Sequence, residues 1–144
     1  MRMTGVVAAM LTVAALTGCS NVPLGATFTE ARDVPAGKAV VYLFRPHLNV
    51  EYAVDFEVVV EGVGTVTLAD GSYVPLFVTP GVATFKASRA GEPTAVLPVS
   101  VEAGRPHYVR LLPVPGFFRY KPILTLEPPE GARDAILGCR QVLR

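Results

Sequence analysis

The chain is poor in the residues from which reactive centres are assembled. Its two cysteines, Cys19 and Cys139, form no C-x-x-C pair, and its two histidines, His47 and His107, stand at no metal-ligand spacing from cysteine, histidine or a carboxylate cluster. No G-x-S-x-G and no phosphate-cradling glycine loop occurs. Nor does either sign of charge dominate: 13 Lys and Arg stand against 12 Asp and Glu. With no surplus, neither the basic face that nucleic-acid binding wants nor a polybasic attraction to anionic lipid is indicated. Metal, cofactor and nucleic acid are therefore not expected.

What is present begins at the N-terminus. The amino group and Arg2 supply positive charge, Val6 to Leu16 is apolar, and small residues follow, which is the layout of a secretory signal. A span of that length is too short for a mature transmembrane helix, which takes roughly 20 apolar residues. Leu16-Thr17-Gly18-Cys19 resembles the lipobox of bacterial lipoproteins. The resemblance implies cleavage between Gly18 and Cys19, and diacylglyceryl attachment to the Cys19 thiol with an added amide-linked chain of palmitate type. The alternative is an ordinary secretory signal cut near the Ala14-Ala15 pair, with Cys19 coincidental. Two or more acyl chains anchor stably where one does not. In lipoproteins Asp after the cysteine favours the inner membrane. Ser20 stands here, which points in a two-membrane cell to the inner leaflet of the outer membrane, facing the periplasm.

With the leader removed Arg2 is lost, and twelve basic side chains face twelve acidic ones. The expected organisation is a signal peptide over 1–18, a lipidated N-terminus and tether over 19–37, and one domain over 38–144. The tether reading rests on the absence of sustained periodicity and on Pro23, Gly25, Pro35 and Gly37.

Beyond it, Gly and Pro punctuate short apolar runs. Lys38 to Arg45 reads as a strand buried on both faces, and Val54 to Glu61 alternates as a half-buried one. Glu61 to Gly64 predicts a tight turn into Thr65 to Ala69. Tyr73 to Thr79, Val82 to Ser88, Thr94 to Val101, His107 to Leu112 and Ile123 to Glu127 follow as strands. Pro75 is expected at an edge or bulge because it lacks a backbone donor. A helix is expected from about Pro129 to Val142, with Ile136, Cys139 and Leu143 as its apolar stripe. Seven or eight short strands with regular turns predict an all-β fold, an antiparallel β-sandwich with a short C-terminal helix.

The segments VVYLFRP (Val40 to Pro46), VVVEGVGTV (Val58 to Val66), DGSYVPLFVTPG (Asp70 to Gly81) and AGRPHYVRLL (Ala103 to Leu112) are similar to the bacterial lipoprotein family known as the domain of unknown function numbered 2846. The similarity spans about residues 38–127, and the end of the chain at Gly138, Cys139 and Arg140 also fits. It departs at Glu61, where the family often has Asp, and at His107, where an aromatic or small polar residue is common. The motifs are mostly turn and core chemistry, so the resemblance implies a fold and no active site.

Two function classes remain. The first is a non-enzymatic, lipid-anchored module that binds or organises an envelope protein or glycan. Its candidate contact is Phe117, Phe118, Arg119 and Tyr120 in the loop Pro113 to Pro122, since adjacent aromatics cannot all enter a core and aromatics with Arg are favoured at interfaces. The competing reading folds that loop back over one end of the sandwich. The second class is a small envelope hydrolase using Asp55 and Glu57, two apart on one strand face; a solvated face accounts for the same pair. Cys139 reads as a buried thiol or as a reactive one able to form an intermolecular disulfide.

Overall fold

Alternate residues of the run at Ala39 point to opposite sides of a sheet, so burying all of them takes a layer on each side. The computed structural model of the chain describes residues 20–89 and 92–144. In chain order it contains β1 (Leu24–Thr27), β2 (Ala39–Arg45), β3 (Phe56–Val60), β4 (Gly64–Leu68), β5 (Ser72–Val78), β6 (Gly81–Arg89), β7 (Glu92–Val101), β8 (Pro106–Val114), β9 (Lys121–Glu127), α1 (Pro129–Leu137) and β10 (Arg140–Val142). The strands form a six-stranded sheet, β1-β10-β5-β2-β8-β9, and a four-stranded sheet, β4-β3-β6-β7.

The space between the sheets holds the main core. Ala39, Val41 and Leu43 of β2 join Phe56, Val58 and Val60 of β3 and Phe85 of β6 there. The other face of β2 supplies Val40, Tyr42 and Phe44, which cluster with Tyr73 and Tyr108 and with Ala132, Ile136 and Cys139. Phe28 completes this second core, its ring edge-on to Tyr42 and Tyr73 at 5.1 and 5.0 Å. The second layer over β2 is thus the helix together with the N-terminal segment.

That segment corrects the tether reading. From Leu24 the chain pairs with β10, and the Ala31 amide donates to the Tyr42 hydroxyl at 2.7 Å. Pro23 and Gly25 interrupt any periodicity, but Leu24, Phe28, Ala31 and Val34 still pack apolar surface against the two cores. The sandwich has ten strands rather than seven or eight. It is also mixed rather than purely antiparallel, because β2 runs parallel to β8, and β5 to β10. Between β2 and β8 the chain builds the whole second sheet, and a long crossover of that kind lets two strands lie side by side in the same direction.

The helix is shorter than expected. It starts with Pro129, whose missing N–H is of no consequence in the first turn, and ends at Leu137. After Gly138 the Arg140 amide donates to Gly71 O at 2.9 Å and draws the chain into the sheet. Leu143 therefore lies beyond the helix and is exposed. β10 pairs with β5 at Ser72 and Tyr73, so Pro75 falls where β5 is locally an edge, as its missing donor requires.

Candidate functional site

β2, β4, β6 and β8 all run towards one end of the sandwich, where the β2–β3 loop (46–55), the corner at Asp70 and Gly71, and the β8–β9 hairpin are found. Arg45, the last residue of β2, is fully buried at this end. A buried guanidinium must be hydrogen-bonded or paired. Here Nη1 donates to Val54 O at 2.5 Å and more weakly to Leu68 O at 3.4 Å, while Nη2 donates to Glu51 O at 2.6 Å. Its face lies over the Phe56 ring, 4.9 Å from the centroid, and Asp70 Oδ1 is 4.0 Å away. Burial lowers the Arg45 pKa from its ordinary value, against the opposing charges of Asp70, Asp55 and Glu51. The guanidinium thereby holds the β2–β3 loop closed, including Glu51 in the left-handed region at φ 52°.

A second arginine carries this order outward. Arg89 Nη1 lies 3.1 Å from Glu51 Oε2 as an ion pair and donates to Tyr120 O at 3.1 Å. It thus joins the β2–β3 loop to the tip of the β8–β9 hairpin. β8 pairs with β2 up to Phe44 and Arg110 but with β9 as far as Val114, so the hairpin overhangs the neighbouring strand. Within the tip the Gly116 amide donates to Arg119 O at 3.0 Å, and a Cβ at Gly116 would sit 2.3 Å from that oxygen. The close approach requires glycine.

This placement removes the fold-back reading of the aromatic loop. Phe117 and Phe118 are 93% and 92% exposed, edge-to-face with each other at 4.6 Å, so they do not fold back over the sandwich. Arg119 is exposed and Tyr120 half-buried. Tyr52, 65% exposed, follows Glu51 in the adjoining loop.

The structure gives Asp55 and Glu57 different surroundings. Asp55 precedes β3 and accepts a hydrogen bond from the Ser20 hydroxyl at 3.0 Å, whereas Glu57 is exposed on β3 between Thr67 and Ser88. A cleft of about 400 Å³ beside Asp55 is lined by Asn21, Thr65, Thr67 and Arg144, and not by Glu57. Gly18 and Cys19, the expected cleavage and lipidation residues, lie outside the described residues.

The histidines have local partners. His47 Nδ1 contacts Asp70 Oδ2, and Asp70 Oδ1 accepts from the Leu48 amide at 3.1 Å. His107 Nε2 accepts from the Glu102 amide at 3.0 Å. Among the described residues no group of three or more His, Cys, Asp or Glu could hold a metal ion, and no helix is long and apolar enough to cross a membrane. Cys139 is a free, buried thiol beside Arg45 O, and burial pushes its pKa up to about 12. A thiol so firmly protonated is a poor nucleophile.

Sequence reasoning finds the exposed aromatics and misses Arg45, Arg89 and Tyr52. Arg45 carries a signal: a lone charge closing an otherwise apolar run must find partners when the run is buried on both faces. Comparison of the chain with protein-family models, with curated proteins and with solved structures finds no match.

Proposed function

We propose that the chain is a non-enzymatic lipoprotein of the bacterial cell envelope. In this reading lipid on Cys19 holds it to the membrane, at the inner leaflet of the outer membrane in a two-membrane cell, and its β8–β9 tip contacts another envelope component. The resemblance of Leu16 to Cys19 to a lipobox supports the address. One observation carries the contact: two adjacent phenylalanines stand almost wholly in solvent on a hairpin braced by Arg89 and Gly116. A braced apolar tip is pre-organised, so little ordering is needed on binding.

Photo-crosslinking in intact cells tests this. A benzophenone amino acid in place of Phe118 gives adducts well above those from the same group in place of Val82, an exposed residue at the opposite end of β6 from Arg89. Equal yields from the two positions contradict the reading.

A further inference from the structure

We infer that the component met by the tip is the bilayer itself: the end of the sandwich carrying Phe117, Phe118 and Tyr52 docks on the lipid surface beside the anchor. The inference rests on the reading of Cys19 as the lipidated residue and adds an orientation to it.

Its basis is where the chain emerges. Ser20 is bound to Asp55, the last residue of the β2–β3 loop, so the first described residue is fixed at the same end as Arg45 and Tyr52. One peptide unit, about 3.8 Å between Cα atoms, separates Ser20 from Cys19. With so short a link the acyl chains enter the membrane next to this end, and the domain has no long spacer on which to swing away. From the same end β8 continues past the level of Arg45 by Leu112, Pro113 and Val114, an overhang of about 10 Å at roughly 3.3 Å per residue. The aromatic tip thus reaches out from the end of the sandwich at which the anchor leaves.

The chemistry of the tip suits an interface between water and lipid. Two phenylalanines project, Tyr120 and Tyr52 offer amphipathic rings behind them, and Arg119 and Lys121 flank the apolar pair. Aromatic rings partition to the headgroup level, and cations beside them meet lipid phosphates. From Leu111 to Leu126 no acidic residue occurs, so nothing in the hairpin tip repels an anionic headgroup. Two acids of the adjoining loops are engaged, Glu51 with Arg89 and Asp70 with His47. Because the domain as a whole carries no charge surplus, the rings rather than long-range attraction provide the hold. The clefts of about 530 and 520 Å³ lie elsewhere, one beside Val63 and Leu143 and the other beside Thr29 and Asp33, while at the tip two exposed rings project.

The absence of tryptophan supplies a clean probe. The full chain is expressed, and the mature protein purified from its membranes is reconstituted in phosphatidylethanolamine and phosphatidylglycerol vesicles that contain brominated acyl chains, as Phe118→Trp or as Val82→Trp. The expected result is emission from position 118 that is blue-shifted and quenched severalfold more than emission from position 82. Equal quenching at the two positions overturns the inference. Mass analysis of the N-terminal peptide reads the anchor separately. If Cys19 carries lipid and quenching is equal, the docking fails and the lipoprotein reading stands. If Cys19 carries none, that reading fails, and the same two tryptophans in protein added to excess vesicles still decide the docking: preferential quenching at 118 supports it and parity overturns it.

Discussion

The hydroxyl of Ser20 donates to Asp55 Oδ2 at 3.0 Å, across 35 positions of sequence, and so ties the start of the described chain to the loop that Arg45 closes. A single hydrogen bond of this kind contributes about 1 kcal/mol. Ser20→Ala is expected to lower unfolding stability by about that amount and to speed amide exchange at Val22, whose N–H donates to Ser20 Oγ. Urea denaturation and hydrogen-exchange mass spectrometry check the two parts.

Arg45 presents a larger effect. Removing it leaves the carbonyls of Glu51 and Val54 without their buried donor and Phe56 without its cation. Breaking a buried charged network by deleting one partner costs about 3 to 5 kcal/mol. Arg45→Met is expected to lose that much, and Arg45→Lys to recover only part, since one ammonium nitrogen replaces the two, Nη1 and Nη2, that reach the two carbonyls. Chemical denaturation of both variants provides the measurement.

The Cys139 thiol makes stability depend on alkaline pH. Its folded pKa is pushed up to about 12 from 9.0, so the unfolded state gives up its proton first. The contribution is complete below about pH 9 and is lost as pH rises towards 12. Burial also raises Tyr42 and Tyr108 above 10.0, which adds loss in the same direction. Melting temperatures measured from pH 8 upward should fall for the native chain and fall less steeply for Cys139→Ala. Native-state maleimide labelling should be slow, and rapid only in denaturant.

Phe117 and Phe118 contribute little to stability. Both rings stand in solvent, so Phe117→Ser with Phe118→Ser is expected to change unfolding stability by no more than about 0.5 kcal/mol. In protein that begins at Ser20, without leader or lipid, the same pair should reduce the fraction that floats with excess vesicles. Thermal unfolding and flotation together separate a surface role from a structural one.

Much of the fold is legible because it is written in local periodicity. Lys38 to Arg45 announces a doubly buried strand, Phe56 to Val60 alternates as it should, and Gly62 and Gly64 take the positive φ that their turn needs. The elements missed are those whose partners lie far away in sequence. β1 and β10 are four and three residues long, and Leu24 finds its partner at Val142, so no local pattern marks either strand. The sequence overextends the helix because Cys139 continues the apolar spacing of Ile136 into what is already the approach to β10. At the site the adjacent phenylalanines are visible as an excess of apolar rings in one loop. The brace behind them is not, since Arg89 reaches the hairpin through the backbone oxygen of Tyr120, which leaves no trace in residue identity.

The envelope address stands on lipid at Cys19, and the orientation on the bilayer is argued from it. Mass spectrometry of the N-terminal peptide of the protein recovered from cells reads that modification without any intermediate step. The expected mature chain begins at Cys19 and bears diacylglyceryl and amide-linked acyl mass, both lost in Cys19→Ala together with membrane retention. A mature chain that begins near Ala15, or an unmodified Cys19 in membrane-bound protein, refutes the lipoprotein reading.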